Sequence, residues 1–189
     1  MHLSDEEIVQ AVLAGNKHRY AEIVSRYQQP VFNLMYRYSR NEQDAADLTQ
    51  EVFFRAFDRL ATFRTDSSLF SWLYSLAVNR ANDWSRSRRR QQEKMQRYMR
   101  ENCSSGEGNR PTAGLERREE GQMLARALDL LSPQTREILL LRYRHEQPVR
   151  DVAVVFGMTE SAVKMRVKRG LEQLQGLLRE MWGNATGTF

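Results

Sequence analysis

The sequence is poor in residues that staple a fold or ligate a metal. It has one cysteine, Cys103, so no disulfide can close within the chain and no cysteine-based zinc site can form. The three histidines, His2, His18 and His145, are scattered, and no spacing assembles a nucleophile with an acid and a base. No glycine-rich phosphate loop follows a strand, and no alternating apolar pattern reads as a strand anywhere. The longest apolar run, Val152–Phe156, is far short of a membrane span. The amino terminus, Met1 to Glu7, is acidic and lacks the apolar core of a signal peptide. The expectation is an all-α protein of the cytoplasm that is not an enzyme, has no cofactor or metal, and does not insert into a membrane.

What the chain does have is charge, unevenly placed. Over 189 residues the net formal charge is +5. Residues 1–62 carry seven basic against nine acidic side chains, whereas residues 80–100 carry eight against two. A local basic patch, rather than a diffuse excess, is the footprint of a nucleic-acid partner.

Helical periodicity runs through most of the chain. Ser4 with Glu7 reads as a capping box opening a first helix that Gly15-Asn16 ends. The apolar face of residues 18–28 is carried on by Val31, Leu34, Met35 and Tyr38, with Pro30 expected to kink or break the helix between them. From Glu42 to about Leu60, Ala45, Thr49, Val52, Phe53, Ala56 and Leu60 form an inner face. Asp47, Glu51, Phe54 and Asp58 lie opposite, with Gln50 at the edge. A phenylalanine inside an acidic stripe marks a protein contact, unless a neighbour covers it. A carboxylate metal site from Asp44, Asp47 and Glu51 is the sharper alternative, but no histidine or second carboxylate cluster completes it.

Phe63–Arg90 is the most informative stretch. A polar lead-in, Arg64–Ser68, precedes a helix expected to reach Arg100. Leu69, Leu73, Leu76, Ala77 and Trp84 fall on one side of it, and Trp72, Asn79, Asp83, Arg86 and Arg90 on another. Aromatics stack on unpaired bases, amides and carboxylates read base edges, and arginines hold phosphates. The same residues also suit a core helix with structural tryptophans and a solvated basic end. Asn102–Gly114 is small, polar and glycine-containing, which is the composition of a flexible linker. Beyond it, Met123, Leu124, Ala127, Leu128 and Leu131 restore the period, and Ser132-Pro133 restarts a helix. Gln147-Pro148 breaks it. Val149–Phe156, a Gly157 turn and a helix from Glu160 to Met181 make a helix-turn-helix pattern. In the last helix, Val163, Val167, Gly170, Leu171, Leu174, Leu178 and Met181 form an expected buried stripe. Ser161, Lys164, Met165, Lys168 and Arg169 lie opposite, with Arg166 on a flank. Clustered cations in that position suit a major-groove helix, although any basic amphipathic helix would show them.

Two sets of residues carry a family resemblance. Asp44–Phe53, Phe63-Arg64 and Trp72–Asn79 resemble region 2 of the sigma-70 family. Leu131-Ser132-Pro133 through Glu137, Asp151-Val152-Ala153 and Ala162–Arg169 resemble region 4. In this order, with a linker between, the chain resembles an extracytoplasmic-function (ECF) sigma factor. The resemblance implies a region 2-like domain over 1–98, a linker over 99–121, a region 4-like domain over 122–183 and a tail over 184–189. It implies that Asp47, Gln50, Glu51 and Phe54 contact the β′ clamp helices of bacterial core RNA polymerase. Promoter −10 DNA would fall to Arg64, Asp66, Ser67, Trp72, Asn79, Arg80, Asp83 and Arg86. The −35 element would fall to Ser161, Lys164, Met165, Arg166, Lys168 and Arg169, in a domain that also docks on the β flap. Promoter recognition, −10 melting and initiation would follow, under the control of an anti-sigma factor, with no further sensory domain. Met165, Gly170-Leu171, Asp83 and Glu146–Arg150 depart from the family's commonest residues.

Overall fold

The computed structural model describes residues 3–64, 67–102 and 119–186, and these are helical with no strand among them. The chain divides into two compact units, Met1–Ala113 and Gly114–Phe189. No described helix is long and apolar enough to cross a membrane.

The first unit contains α1 (Asp5–Leu13), α2 (Tyr20–Ser39), α3 (Glu42–Asp58) and α4 (Leu69–Asn102). The expected capping box opens α1: Glu7 N–H donates to Ser4 Oγ at 3.2 Å, and Ser4 N–H donates to Glu7 Oε2 at 2.6 Å. The bonds from Ser4 hold the Glu7 carboxyl below its ordinary pKa. Asp5 then ties α1 to α2, accepting from Arg26 Nη1 at 2.8 Å and from the Tyr27 hydroxyl. Burial and that bond to Asp5 push the Tyr27 phenol well above its usual range.

Pro30 does not break α2. Proline removes one backbone donor and crowds the carbonyl four residues back, yet Val31, Leu34 and Met35 beyond it are fully buried on the face Ile23 begins. Burying each such side chain contributes roughly 1.5–3 kcal/mol, so together they outweigh a proline cost of about 3 kcal/mol. Arg40 ends α2 in the left-handed region (φ 54°), and Asn41 caps α3 by accepting from Asp44 N–H at 2.9 Å. The α3 inner face is buried as expected, with Leu48 added to it. Tyr20 anchors to this helix by donating to the Phe53 carbonyl at 2.6 Å.

α4 packs against both α2 and α3, which widens its buried arc. Leu69, Leu73 and Ala77 are buried, but so are Phe70, Tyr74, Val78 and Ala81, while Leu76 and Trp84 are only half-buried. From Ser85 to Tyr98 every residue is exposed, so about 20 Å of α4 is lone basic helix. The helix runs to Asn102 and the next one starts at Glu119, so the expected linker limits fall inside helices. Residues 103–118 of that linker, with Cys103, lie outside the described residues.

The second unit contains α5 (Glu119–Leu130), α6 (Pro133–Leu139), α7 (Val149–Phe156) and α8 (Glu160–Thr186). Ser132 caps α6, accepting from Thr135 N–H at 3.3 Å, with Pro133 in its first turn. A π turn at Leu140–Arg144 follows, which the periodicity did not indicate. Pro148 opens α7 and Gly157, at φ 60°, closes it, leaving a short turn before α8. Ala127, Leu131, Ile138, Leu139, Leu141, Val152, Val155 and Val163 make the core. The expected α8 stripe is corrected here. Val163 and Gly170 are buried, but Leu171 is 38 % exposed and Val167, Leu174, Leu178 and Met181 are only half-buried. Gly170 sits where α8 meets α6, and a Cβ on it would lie 2.7 Å from Thr135 Cγ2; the later turns of α8 are less covered, and a Cβ on Gly176 would meet nothing within 4 Å. Beyond that contact, Leu171, Leu174, Leu178 and Trp182 line an open groove.

Candidate nucleic-acid and polymerase interfaces

The α3 stripe is built on the face opposite the core. Because Val52, Phe53 and Ala56 turn inward, Phe54 must turn out, and no neighbour covers it: it is 64 % exposed. Asp47, Gln50 and Asp58 are exposed beside it. Asp47 accepts from Gln43 Nε2 at 3.2 Å. Glu51 differs, since its carboxylate is held in a fork, with Arg80 Nε on Oε2 at 2.6 Å and Arg80 Nη2 on Oε1 at 3.2 Å. That fork holds the Glu51 carboxyl below its ordinary pKa, against a smaller opposing effect of burial. One pair of turns away, Arg88 Nη1 approaches Asp44 Oδ2 at 3.5 Å. Asp44, Asp47 and Glu51 do not converge on a common point, and no cluster of three metal-ligating side chains occurs among the described residues.

The second stripe runs along α4. Asn79, Asp83, Arg86 and Arg90 are exposed and share one face. Trp72, half-buried, meets Phe63 edge-on with ring centroids 5.7 Å apart. Those rings form an aromatic step at the start of the helix, which Ser68 caps by accepting from Ser71 N–H at 3.1 Å. Arg64 is exposed and Ser67 half-buried, while Thr65 and Asp66 lie outside the described residues. Arg80 does not join this stripe. It is one residue, and therefore about 100°, away from Asn79, and its guanidinium faces α3. Farther along, Arg88 stacks over Trp84 at 5.1 Å from the ring centroid.

The third group lies on the first turns of α8. Thr159 caps the helix, accepting from Ala162 N–H at 3.2 Å. Ser161, Lys164, Met165, Lys168 and Arg169 are exposed together, as the alternation with Val163 and Gly170 requires. Arg166 is again the exception: half-buried, it donates to Gln134 Oε1 of α6 at 2.7 Å.

The engagements of Arg80, Arg88 and Arg166 were not visible in the sequence. Their partners are 29, 44 and 32 residues away, and no local spacing announces such pairs. The exposed members followed from periodicity alone.

Comparison with known proteins agrees with this organisation. The family model for sigma-70 region 2 matches residues 23–91, and that for sigma-70 region 4 matches residues 121–174. The chain is 28 % identical over 187 residues to the RNA polymerase sigma-H factor of Pseudomonas aeruginosa, covering 93 % of this chain and 96 % of that protein. It is likewise 28 % identical over 185 residues to the ECF RNA polymerase sigma-E factor of Escherichia coli K12, covering 95 % and 96 %. Among solved structures its fold is similar to CnrH, determined in complex with the cytosolic domain of CnrY (TM-score 0.67, 22 % identity, 93 % of this chain and 97 % of that one). It is also similar to the sigma factor RpoE of Bartonella quintana, determined with the anti-sigma factor NepR (TM-score 0.62, 22 % identity, 85 % and 96 %).

Two helical units, matching region 2 and then region 4, define the class, and the chain belongs to the sigma-70 family of RNA polymerase sigma factors, in its extracytoplasmic-function group. It is a transcription initiation factor that binds core RNA polymerase and promoter DNA.

Proposed function

We propose that the two units divide promoter recognition between them, in the cytoplasm and without catalysis. In the first unit, Asp47, Gln50, Glu51 and Phe54 of α3 bind the β′ clamp helices. Arg64, Asp66, Ser67, Trp72, Asn79, Asp83 and Arg86 hold the −10 element. Asn79 and Asp83 meet base edges, Trp72 offers a stacking face, and Arg86 takes phosphate. The cost of unstacking −10 bases is offset by contacts available only to a single strand. In the second unit, Ser161, Lys164, Met165, Lys168 and Arg169 enter the major groove of the −35 element, with Arg166 braced at their flank, and the same unit docks on the β flap. An anti-sigma factor restrains the protein, by analogy with the Bartonella quintana relative determined with one.

One observation carries this reading. A single compact unit presents an acidic stripe centred on exposed Phe54 and, on the adjoining helix, an amide, carboxylate and guanidinium stripe. The first suits a protein and the second a nucleic acid. The test is reconstitution with bacterial core polymerase on DNA from upstream of the chain's own gene. A specific transcript is expected; binding without one removes the promoter-recognition roles. Tight, specific duplex binding by the free protein would favour an ordinary helix-turn-helix regulator.

A further inference from the structure

Arg80 adjoins Asn79 in sequence but belongs to a different surface. Ala81 beside it is fully buried, so residue 80 sits on the packed flank of α4, and the side chain of Arg80 is only 16 % exposed. Both of the nitrogens it directs at α3 are on Glu51, one on each carboxylate oxygen. Glu51 itself stays 45 % exposed, so its carboxylate is gripped from one side and open on the other. A planar guanidinium forked onto a carboxylate fixes the orientation as well as the charge of that carboxylate, which a lysine does less well.

From this geometry we infer that Arg80 is a positioning residue for core-polymerase binding: it pins Glu51 in the orientation the clamp meets, and it does not read the promoter. The inference rests on the clamp role proposed for Glu51. A free glutamate on a helix surface samples several rotamers, and holding it in one removes that entropic cost from the binding step.

The test uses the full chain and core RNA polymerase. Glu51→Ala, Arg80→Ala and the double variant are compared for core affinity, and each holoenzyme, at saturating core, is compared for discrimination between matched and mismatched −10 strands. Arg80→Ala should weaken core binding about tenfold, the scale of coupling between contacting residues. The double variant should be no worse than Glu51→Ala, and −10 discrimination should stay at the wild-type ratio in Arg80→Ala. Arg80→Lys should restore part of the affinity, because it returns charge without the fork. Should Arg80→Ala lower the melting temperature, the exchanged pair Glu51→Arg with Arg80→Glu restores the bridge; it should recover melting but not core binding. Unchanged core affinity in Arg80→Ala, loss of −10 discrimination, or recovery of core binding in the exchanged pair each overturns the inference. If Glu51→Ala itself binds core normally, the clamp role of Glu51 falls and the positioning role with it. If only Arg80→Ala binds normally, the clamp role stands.

Discussion

Phe53 and Phe54 are chemically identical neighbours with opposite tasks, and replacing each by alanine separates fold from function. Phe53 is 6 % exposed in the α3 face that meets the core of the first unit. Truncating it leaves a cavity, and buried phenylalanine-to-alanine changes cost about 3–5 kcal/mol. That is a large share of the ~5–15 kcal/mol by which a domain is stable. Phe54 is 64 % exposed, so truncating it removes little that the free protein buries. Full burial of a phenylalanine is worth roughly 1.5–3 kcal/mol, and about two-thirds of that surface remains for a partner to cover. Phe54→Ala should therefore weaken core-polymerase binding by about 1–2 kcal/mol, or roughly 5- to 30-fold. Its melting temperature should stay at the wild-type value, whereas Phe53→Ala should melt far lower. Affinity is read by titrating labelled protein with core enzyme, and stability by circular dichroism of the same samples. Wild-type affinity in Phe54→Ala, or a large fall in its melting temperature, would refute the assignment of an exposed anchor.

Gly170→Ala should destabilise the second unit although alanine favours helix by about 1 kcal/mol, because overpacking costs roughly 1–3 kcal/mol. The new methyl meets Thr135 Cγ2 at 2.7 Å, and Thr135 is held through Ser132; adding Thr135→Ser should recover the stability in calorimetry. Replacing Lys164 or Arg169 by alanine should reduce the salt dependence of holoenzyme binding to promoter by about 0.9 in the log–log slope for each phosphate no longer neutralised; an unchanged slope for both removes them from the DNA face. The Glu51 carboxyl is held below its ordinary value of 4.5 by Arg80. A carboxylate with a depressed folded-state pKa stabilises fully above its unfolded value and loses that contribution as pH falls through the lower one. Wild type and Glu51→Gln should thus differ in urea midpoint at pH 7 and converge below pH 4.5; a constant difference would show that Glu51 ionisation is not what stabilises the pair.

The helices, their caps and the outward position of Phe54 were legible along the chain because they depend on neighbours within a few residues. Ser4 with Glu7, Ser132 with Pro133, and Gly157 at its left-handed turn are local devices, and the structure has all of them. Periodicity likewise sufficed for the stripes of α3 and the first turns of α8, since a helix turns 100° per residue whatever surrounds it. Tertiary packing decided the rest. Pro30 stays inside a helix because Val31, Leu34 and Met35 have a core to enter. The width of α4's buried arc depends on its packing against two other helices, and the exposure of Leu171 on how little of α8 is covered. Most consequentially, the family resemblance groups Arg80 with Asn79 as a promoter contact, although periodicity sets the two about 100° apart. Only the approach of α3 to α4 gives it to Glu51, because a salt bridge depends on which helices meet, and helical periodicity carries no record of that.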